Sequence, residues 1–341
     1  MKAGGMTMER NWKQLLGAFL LGVMMPLFIL RMAGWTSPAR GAQTETTQTQ
    51  PPQTTESPLA TQTQPPRIRY LPVQTSDSTV VTMELETYLV GVLLGEMPAY
   101  FEQEALRAQA VVARTYAMRH HIRQDKHPGG AVCTDPGCCQ AYVSETVYVE
   151  RGGSEADVEK IRKAVMDSAG WVLTYEGQLI AATYFSCSGG RTEDALAVWG
   201  DDIPYLQSVE SPGEEKAENY TKTVSFSSGE FMRLLGRDLT GTPASWLGTV
   251  TYSEGGGVTT MIIGGKTYTG TQLRQMLGLN SIAFTMRAEG DSIFVTTSGK
   301  GHRVGMSQEG AEVMAASGST WQEILTHYYQ GIRIDKLSEI G

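Results

Sequence analysis

The residue with the clearest chemical potential is Glu96, the only charged residue in the apolar sequence YLVGVLLGEMP. Leu85, Leu89 and Val92 precede it at helical spacing, which predicts that its carboxyl lies on the face directed at the core. Pro98 ends the predicted helix, because the residue before a proline is disfavoured in α geometry. A carboxylate in apolar surroundings has a raised pKa unless it is paired, and a protonated acid can donate to a glycosidic oxygen. The alternative is a structural glutamate at a helix end.

A candidate metal site follows in a loop that comes after the second predicted helix. His127, Cys133 and Cys139 are spaced six residues apart and offer one imidazole and two thiolates, which is a partial ligand set for zinc. Zinc is normally four-coordinate, so water, Cys138 or Cys187 is left for the fourth position. A disulfide is the alternative, which an extracytoplasmic location would permit. The sequence contains no His-Glu-x-x-His helix for a zinc hydrolase.

Hydroxyl side chains lead out of a predicted strand into a glycine turn. Tyr184, Ser186 and Ser188 alternate along this segment, and Gly189 follows them. Hydroxyls beside exposed backbone N–H groups suit the recognition of N-acetyl sugars. The alternative is a hairpin end with ordinary capping hydroxyls. No Gly-x-Ser-x-Gly elbow is present, so the pattern does not predict a serine hydrolase.

Three further polar residues are candidates for the same cleft. Arg114 lies in the helix after Glu96, where it could contact substrate or Glu96 itself, or remain a surface cation. His302 and Gln308 lie in a glycine-containing loop that opens a predicted helix, so both could reach a cleft.

Three ordered motifs together resemble one known family. The first joins Gly-Glu-Met-Pro at 95–98 to EALRAQAVVARTYA at 104–117, and the others are YFSCSGGRTE at 184–193 and GHRVGMSQ at 301–308. These motifs are similar to those of stage II sporulation protein D, a family that also includes the amidase-enhancer proteins. The matches extend over about residues 67–334 and thus over the whole predicted globular part.

The resemblance implies a peptidoglycan lytic transglycosylase that acts in engulfment during sporulation. In such an enzyme Glu96 would serve as both acid and base, and the product would carry a 1,6-anhydro end. The implied substrate is denuded glycan, meaning strands without stem peptides, and the implied partners are stage II sporulation proteins P and M. Some family members carry a His/Cys/Cys zinc here, whose expected role is structural. The alternative from another class is a non-catalytic enhancer that binds an amidase.

The element pattern predicts an α+β catalytic domain over 67–341, with N-terminal helices and antiparallel strands. A helix is expected from Glu102 to Arg123, and Ser154 with Asp157 resembles a capping box. Hairpins are expected at 171–185 and 283–297, where Gly177 and Gly290 mark the turns. A compact α/β insertion is predicted at 220–280.

The N-terminal part has a different composition. Residues 1–13 are expected to be cytoplasmic, and 14–35 form an apolar stretch of roughly the 20 residues that cross a bilayer. Residues 36–66 are a Thr/Gln/Pro-rich tether in which TQTQPP occurs twice, a composition that predicts disorder. The sequence therefore predicts a single-pass cell-membrane protein with an extracytoplasmic domain at the cell wall. A cleaved signal peptide is the alternative.

The net charge and the hydrophobic fraction also bear on the class of protein. The chain has 341 residues and a formal net charge of −8, which argues against a nucleic-acid partner. Its hydrophobic fraction of 41% is ordinary for a globular domain, so a sizeable core is available.

Overall fold

The computed structural model describes residues 69–218 and 220–340. The predicted cytoplasmic segment, membrane anchor and tether therefore lie outside the described residues. Among the helices within this described part, none is both long and apolar enough to cross a membrane.

Helices and strands are interspersed along the described chain. The helices are α1 Leu85–Glu96, α2 Gln103–Arg123, α3 Glu145–Glu150, α4 Glu155–Asp167, α5 Ala195–Trp199, α6 Ser228–Leu235, α7 Pro243–Trp246, α8 Gly270–Leu277, α9 Gln308–Ala316 and α10 Trp321–Tyr328. The strands are β1 Tyr70–Gln74, β2 Val80–Glu84, β3 Val132–Cys133, β4 Trp171–Tyr175, β5 Gln178–Leu179, β6 Tyr184–Phe185, β7 Gly190–Arg191, β8 Glu210–Ser211, β9 Thr221–Ser227, β10 Leu247–Tyr252, β11 Val258–Ile263, β12 Lys266–Thr269, β13 Phe284–Glu289, β14 Ser292–Ser298, β15 Met306–Ser307 and β16 Arg333–Lys336.

The described strands form six small sheets, with the orders β2-β1-β3, β16-β4-β5, β15-β6, β7-β8, β10-β11-β12 and β13-β14-β9. Their pairs are antiparallel except β1 with β3 and β6 with β15, which are parallel. Small, mostly antiparallel sheets beside helices confirm the predicted α+β class. The parallel pair β6–β15 places the two loop motifs, 184–193 and 301–308, side by side.

The main core surrounds α1. This helix was expected to bury one stripe, but its residues from Tyr88 to Leu94 are all buried. Helices α2 and α4 pack against it, and α9, α10 and β4 pack against α2. A helix that is apolar on all sides is stable only when it is enclosed in this way. The apolar run before Glu96 therefore forms the centre of the domain.

A second hydrophobic core lies within the segment from Val224 to Val295. Its fully buried members include Phe231, Ile263 and Leu273, which come from α6, β11 and α8. The insertion predicted at 220–280 falls largely within this segment, and its status as a separate domain stays a prediction.

Two local predictions can be compared with the structure. The capping box at the start of α4 is present: the Ser154 hydroxyl accepts from the Asp157 N–H, and the Asp157 carboxylate accepts from the Ser154 N–H. The hairpin after β4 is shorter than expected, because β5 ends at Leu179. The chain then turns, with the Thr183 N–H donating to the Ala181 carbonyl, and β6 pairs with β15 instead.

Candidate active site and metal centre

Glu96 is the last residue of α1, and the end of the helix fixes its position. Met97 leaves the helix with φ −128° and ψ 142°, while its N–H still donates to the Leu93 carbonyl at 3.0 Å. The Met97 side chain is buried, so the chain is anchored directly after the acid. Glu96 itself is half-buried.

The loop that follows the cysteines crosses the last turns of α1 at two glycines. A Cβ atom on Gly91 would overlap the Tyr142 ring, and one on Gly95 would lie 3.0 Å from the Ala141 backbone. This close approach brings the Ala141 N–H to the acid, where it donates to Glu96 Oε1 at 2.7 Å. The loop therefore supplies a fixed backbone donor to the carboxylate.

Burial and hydrogen bonding shift the pKa of Glu96 in opposite directions. Burial raises the pKa of the carboxyl above its ordinary value, whereas the Ala141 N–H, the Tyr184 hydroxyl and the Gln308 amide lower it. The net direction is upward. The protonated acid therefore persists to a higher pH than in an exposed glutamate.

Gln140 orients the tyrosine beside Glu96. It is buried between two phenols: the Tyr88 hydroxyl donates to Gln140 Oε1 at 3.3 Å, and Gln140 Nε2 donates to the Tyr184 hydroxyl at 3.2 Å. Because the Tyr184 oxygen accepts from Gln140, its own proton is free to point toward the neighbouring Glu96 carboxylate. Sequence reasoning did not assign a role to Gln140.

A buried carboxylate holds the serine–glycine loop from within. Glu214 is 1% exposed and accepts from the Ser188 hydroxyl at 2.8 Å and from the Ser188 N–H at 2.7 Å. Gly189 has φ +73°, and a Cβ there would lie 2.7 Å from the Gly299 nitrogen. These contacts give Ser188 and Gly189 a role in loop shape. The Ser186 hydroxyl makes no hydrogen bond to the described protein groups, so it is the serine of this loop that remains available.

Arg303 is a structural residue that sequence reasoning missed. It is 2% exposed and has φ +65°, a left-handed conformation that costs a non-glycine residue about 1–3 kcal/mol. Its guanidinium pairs with Glu193 at 3.1 Å and donates to the carbonyls of Ser188, Arg191 and Gly255. These contacts offset the strain and tie the two loop motifs together.

His302 lies against aromatic rings on one side of β6. Its ring centroid is 5.7 Å from that of Phe185 and 5.4 Å from that of Trp199. The Val304 N–H donates to His302 Nδ1 at 3.2 Å, so this nitrogen is the acceptor. Burial, reinforced by the charge of Arg274, lowers the pKa of His302 to about 4. His302 is therefore neutral at physiological pH.

Arg114 occupies a fully buried site within α2. Its Nε and Nη2 donate to the two carboxylate oxygens of Glu86 at 3.1 and 2.5 Å. Its remaining donors reach the carbonyls of Ala110, Val165 and Trp171. Since a guanidinium has five N–H groups, these bonds use its full capacity. The geometry indicates a residue that anchors α1, α2, α4 and β4.

Replacing Arg114 by methionine should lower the free energy of unfolding by about 3–5 kcal/mol, because it leaves Glu86 without its partner. Chemical denaturation measures this loss. Arg162→Met is the matched control, since Arg162 pairs with Glu145 and Glu159 but its side chain is 41% exposed. Exposed ion pairs contribute only about 0–1 kcal/mol to the free energy of unfolding, so this variant should lose little stability. Equal losses in the two variants would contradict an anchoring role for Arg114.

The predicted metal ligands are brought together, and Cys138 joins them. The ligand atoms of His127, Cys133, Cys138 and Cys139 all lie within 4.8 Å of one another. Cys138 Sγ is 3.4 Å from His127 Nε2 and 4.0 Å from Cys139 Sγ. Zinc bonds of about 2.3 Å to sulfur and 2.0–2.1 Å to nitrogen place tetrahedral ligand atoms roughly 3.6–3.8 Å apart. This group of side chains, hereafter the His/Cys cluster, could therefore hold a metal ion.

The remaining cysteine lies elsewhere. All four cysteines are free thiols, and the Cys187 thiol donates to the Glu214 carboxylate at 3.0 Å, outside the His/Cys cluster. Cys139 directly precedes Gln140 and Ala141, the two residues that contact Tyr184 and Glu96. The His/Cys cluster and the acid are thus joined by one short stretch of chain.

Fold and site together define an α+β domain with a half-buried acid and a His/Cys cluster on one loop. The family model "SpoIID: Stage II sporulation protein" matches residues 74–175, the region that contains both. The chain is 42% identical over 272 residues to "Stage II sporulation protein D" of Bacillus subtilis (strain 168), covering 78% of this chain and 79% of the relative. The chain therefore belongs to the stage II sporulation protein D family, which confirms the resemblance.

Two other relatives support and extend this assignment. "Stage II sporulation protein D" of Bacillus amyloliquefaciens is 40% identical over 268 residues, which are 77% of each chain. The "Amidase enhancer" of Bacillus subtilis (strain 168) is 28% identical over 301 residues, which are 71% of this chain and 39% of that protein. The predicted relation to amidase enhancers is thus confirmed as well.

Proposed function

We propose that this protein is a peptidoglycan lytic transglycosylase that cleaves the MurNAc–GlcNAc bond of denuded glycan strands. The observation that carries the proposal is Glu96, a half-buried residue whose carboxyl pKa is raised by burial and which has three hydrogen-bond donors beside it. Such an acid keeps its proton to a higher pH than an exposed glutamate and has a fixed orientation, and both properties favour general acid catalysis.

The proposed reaction uses this single carboxyl twice. Glu96 first donates its proton to the glycosidic oxygen, and the bond from C1 of MurNAc to that oxygen breaks. The 6-hydroxyl of the same MurNAc then attacks C1 and forms the 1,6-anhydro ring, while the Glu96 carboxylate takes up the hydroxyl proton. Atoms and charge balance without water, and the acid returns to its starting state.

The other predicted site residues divide into two groups under this proposal. Tyr184, Ser186 and Gln308 are proposed to contact the sugars, since they lie on the paired segments next to Glu96. The second group is proposed to position the sugar-contacting residues, because its polar atoms or backbone already contact other protein groups. It consists of Arg114, Ser188, Gly189 and His302.

The His/Cys cluster is proposed to bind Zn²⁺ in a structural role. His127, Cys133 and Cys139 are its proposed ligands, and Cys138 lies close enough to be the fourth. A bound ion would cross-link the loop that presents Gln140 and Ala141 to the acid. The residues of the cluster thereby support the position of the Ala141 N–H against Glu96.

A non-catalytic enhancer of a cell-wall amidase is the second candidate function. The observation in its favour is the 28% identity to a protein named "Amidase enhancer". Mass spectrometry of denuded glycan incubated with the purified protein separates the candidates. A 1,6-anhydro end supports the transglycosylase, a reducing end indicates a hydrolase, and the absence of any product favours the enhancer.

The cellular setting is proposed from the family and the sequence. A single-pass anchor at 14–35 would hold the domain outside the membrane, where it would act on the wall during engulfment. Stage II sporulation proteins P and M are the proposed partners, the first supplying strands without stem peptides.

Cleavage should depend on prior removal of stem peptides. A peptide on each lactyl group would crowd the surface around Glu96 and the loop at 186–190, and proton transfer requires heavy atoms within about 2.6–3.2 Å. Amidase-treated glycan should therefore be cut, while intact peptidoglycan remains largely uncut. The measurement is a parallel digestion of both substrates followed by product chromatography. Equal release of anhydro products from the two substrates would contradict this prediction.

A further inference from the structure

Arg274 is a half-buried cation that has no acid partner among the described residues. It lies in the last turn of α8, and its Nε donates to the Leu279 carbonyl at 3.4 Å. Within the described part of the chain, neither Nη atom has a hydrogen-bond acceptor, and neither is fully enclosed. Burial lowers the pKa of Arg274, and no negative charge of the described chain opposes this shift. A partly desolvated guanidinium in this state favours an anionic ligand.

The segment that follows α8 holds Arg274 next to the loop motif at 301–308. The Asn280 carbonyl accepts from the Gly301 N–H at 3.0 Å, and Leu279, the residue before it, accepts from the Arg274 side chain. Among the charged groups of the described chain, Arg274 is also the one that acts on the pKa of His302. The guanidinium is therefore fixed beside this loop motif.

The same loop motif connects the cation to the proposed acid. His302 lies beside the Tyr184 carbonyl, and the Tyr184 hydroxyl is one of the donors to Glu96. The exposed ring of Trp199 lies 5.4 Å from the His302 ring. Aromatic side chains with a few placed polar groups are typical of ligand sites. A glycan that extends from Glu96 past Tyr184 and His302 would therefore meet an aromatic ring and an unpaired cation.

The proposed substrate offers one anion that suits this cation. Each MurNAc carries a lactyl group, which ends in an amide where a stem peptide is attached and in a free carboxylate where the peptide has been removed. A guanidinium binds a carboxylate through two parallel N–H···O bonds, and it gains no charge pairing from an amide. An arginine without a protein counter-ion therefore distinguishes the two forms of the lactyl group by charge.

We propose that Arg274 binds the free lactyl carboxylate of a MurNAc in the bound glycan, so that binding depends on the charge of this group and not only on its size. The inference rests on the proposed function for the presence of a glycan at Glu96. It adds a specificity-determining residue from α8, a helix that belongs to the second hydrophobic core.

Two tetrasaccharides of alternating GlcNAc and MurNAc test this inference. One has free lactyl carboxylates, and in the other each carboxylate is converted to a carboxamide, which has nearly the same shape but is neutral. Calorimetry would be performed on the full chain in detergent with the Glu96→Gln substitution, which prevents cleavage. The free form should bind about 5–20-fold more tightly, the effect of one hydrogen bond between charged groups. Adding Arg274→Met should bring the two affinities within about twofold of each other.

Arg237→Met is the matched control, because Arg237 is also half-buried but its two Nη atoms already donate to the carbonyls of Ile263 and Gly264. It should preserve the preference for the free carboxylate, and Arg274→Lys, which keeps the charge, should retain part of it. The comparison of the two tetrasaccharides in the Glu96→Gln protein does not depend on the folding of any Arg274 variant.

Four results would each overturn the inference: equal affinity for both tetrasaccharides in the Glu96→Gln protein, no binding of either, an unchanged preference after Arg274→Met, or an equal loss of affinity for both. Failure of the transglycosylase proposal would appear separately, as an absence of cleavage of denuded glycan by the wild-type protein.

Discussion

Replacing Glu96 by glutamine should reduce the cleavage of denuded glycan by about 10²–10⁴-fold, the usual contribution of general acid–base catalysis. The amide has nearly the same shape as the carboxyl, so the loop that crosses Gly91 and Gly95 should still pack on α1. It cannot donate a proton to the glycosidic oxygen or accept one from the 6-hydroxyl. Thermal unfolding and product chromatography together would separate the loss of chemistry from a loss of fold.

The dependence of the cleavage rate on pH is a second test of Glu96 as the acid. The acid must be protonated at the start of the reaction, so the wild-type rate should fall as the pH rises through the Glu96 pKa. Because that pKa is raised, the fall should begin at a higher pH than an exposed glutamate would give. Glu102→Gln, which removes an exposed acid six residues away, should retain both rate and profile. Wild-type turnover in the Glu96→Gln protein would eliminate Glu96 as the acid.

Replacing Cys133 by serine should remove most of the bound metal and lower the thermal stability at the same time. Structural zinc sites contribute about 10–16 kcal/mol of apparent binding free energy in small domains, and this energy is coupled to folding. A serine hydroxyl does not replace a thiolate as a zinc ligand. Elemental analysis of the purified protein and a thermal melt, each with and without a chelator, would measure the two effects.

Cys187→Ser is the control for this experiment, because Cys187 is buried but lies outside the His/Cys cluster and hydrogen-bonds to Glu214. Its metal content should equal that of the wild type. Cys138→Ser distinguishes three protein ligands from four, since only a four-ligand site should lose affinity. A protein without metal that carries a Cys133–Cys139 disulfide would reverse the assignment of a metal centre.

Local sequence signals determined much of the fold. The apolar repeat before Glu96, the capping box at Ser154 and the turn at Gly290 each predicted an element that the structure contains. These signals depend on neighbours within a few residues, so periodicity and turn chemistry are sufficient to detect them. The position of Glu96 at the end of its helix followed from Pro98 in the same way.

Two glycines in the sequence indicate where a second segment of the chain packs on α1. Gly91 and Gly95 are four residues apart and therefore share one face of α1. The loop that contains Ala141 and Tyr142 packs on this face. Close approach of another backbone is a common reason for glycine within a helix. The extra thiol of Cys138 was recognised only as one option for a fourth ligand.

The partner of each buried polar group was decided only by the tertiary structure. Arg114 could have faced substrate, Glu96 or solvent, and the packing of α1 on α2 pairs it with Glu86 instead. Ser188 could have faced a sugar, and its hydroxyl binds Glu214, which lies 26 residues later in the chain. The sequence alone determined where an acid, thiols and hydroxyls occur along the chain. Their pairing depends on contacts between distant segments, and no local pattern of residues encodes the distance between two side chains that meet only when the core closes.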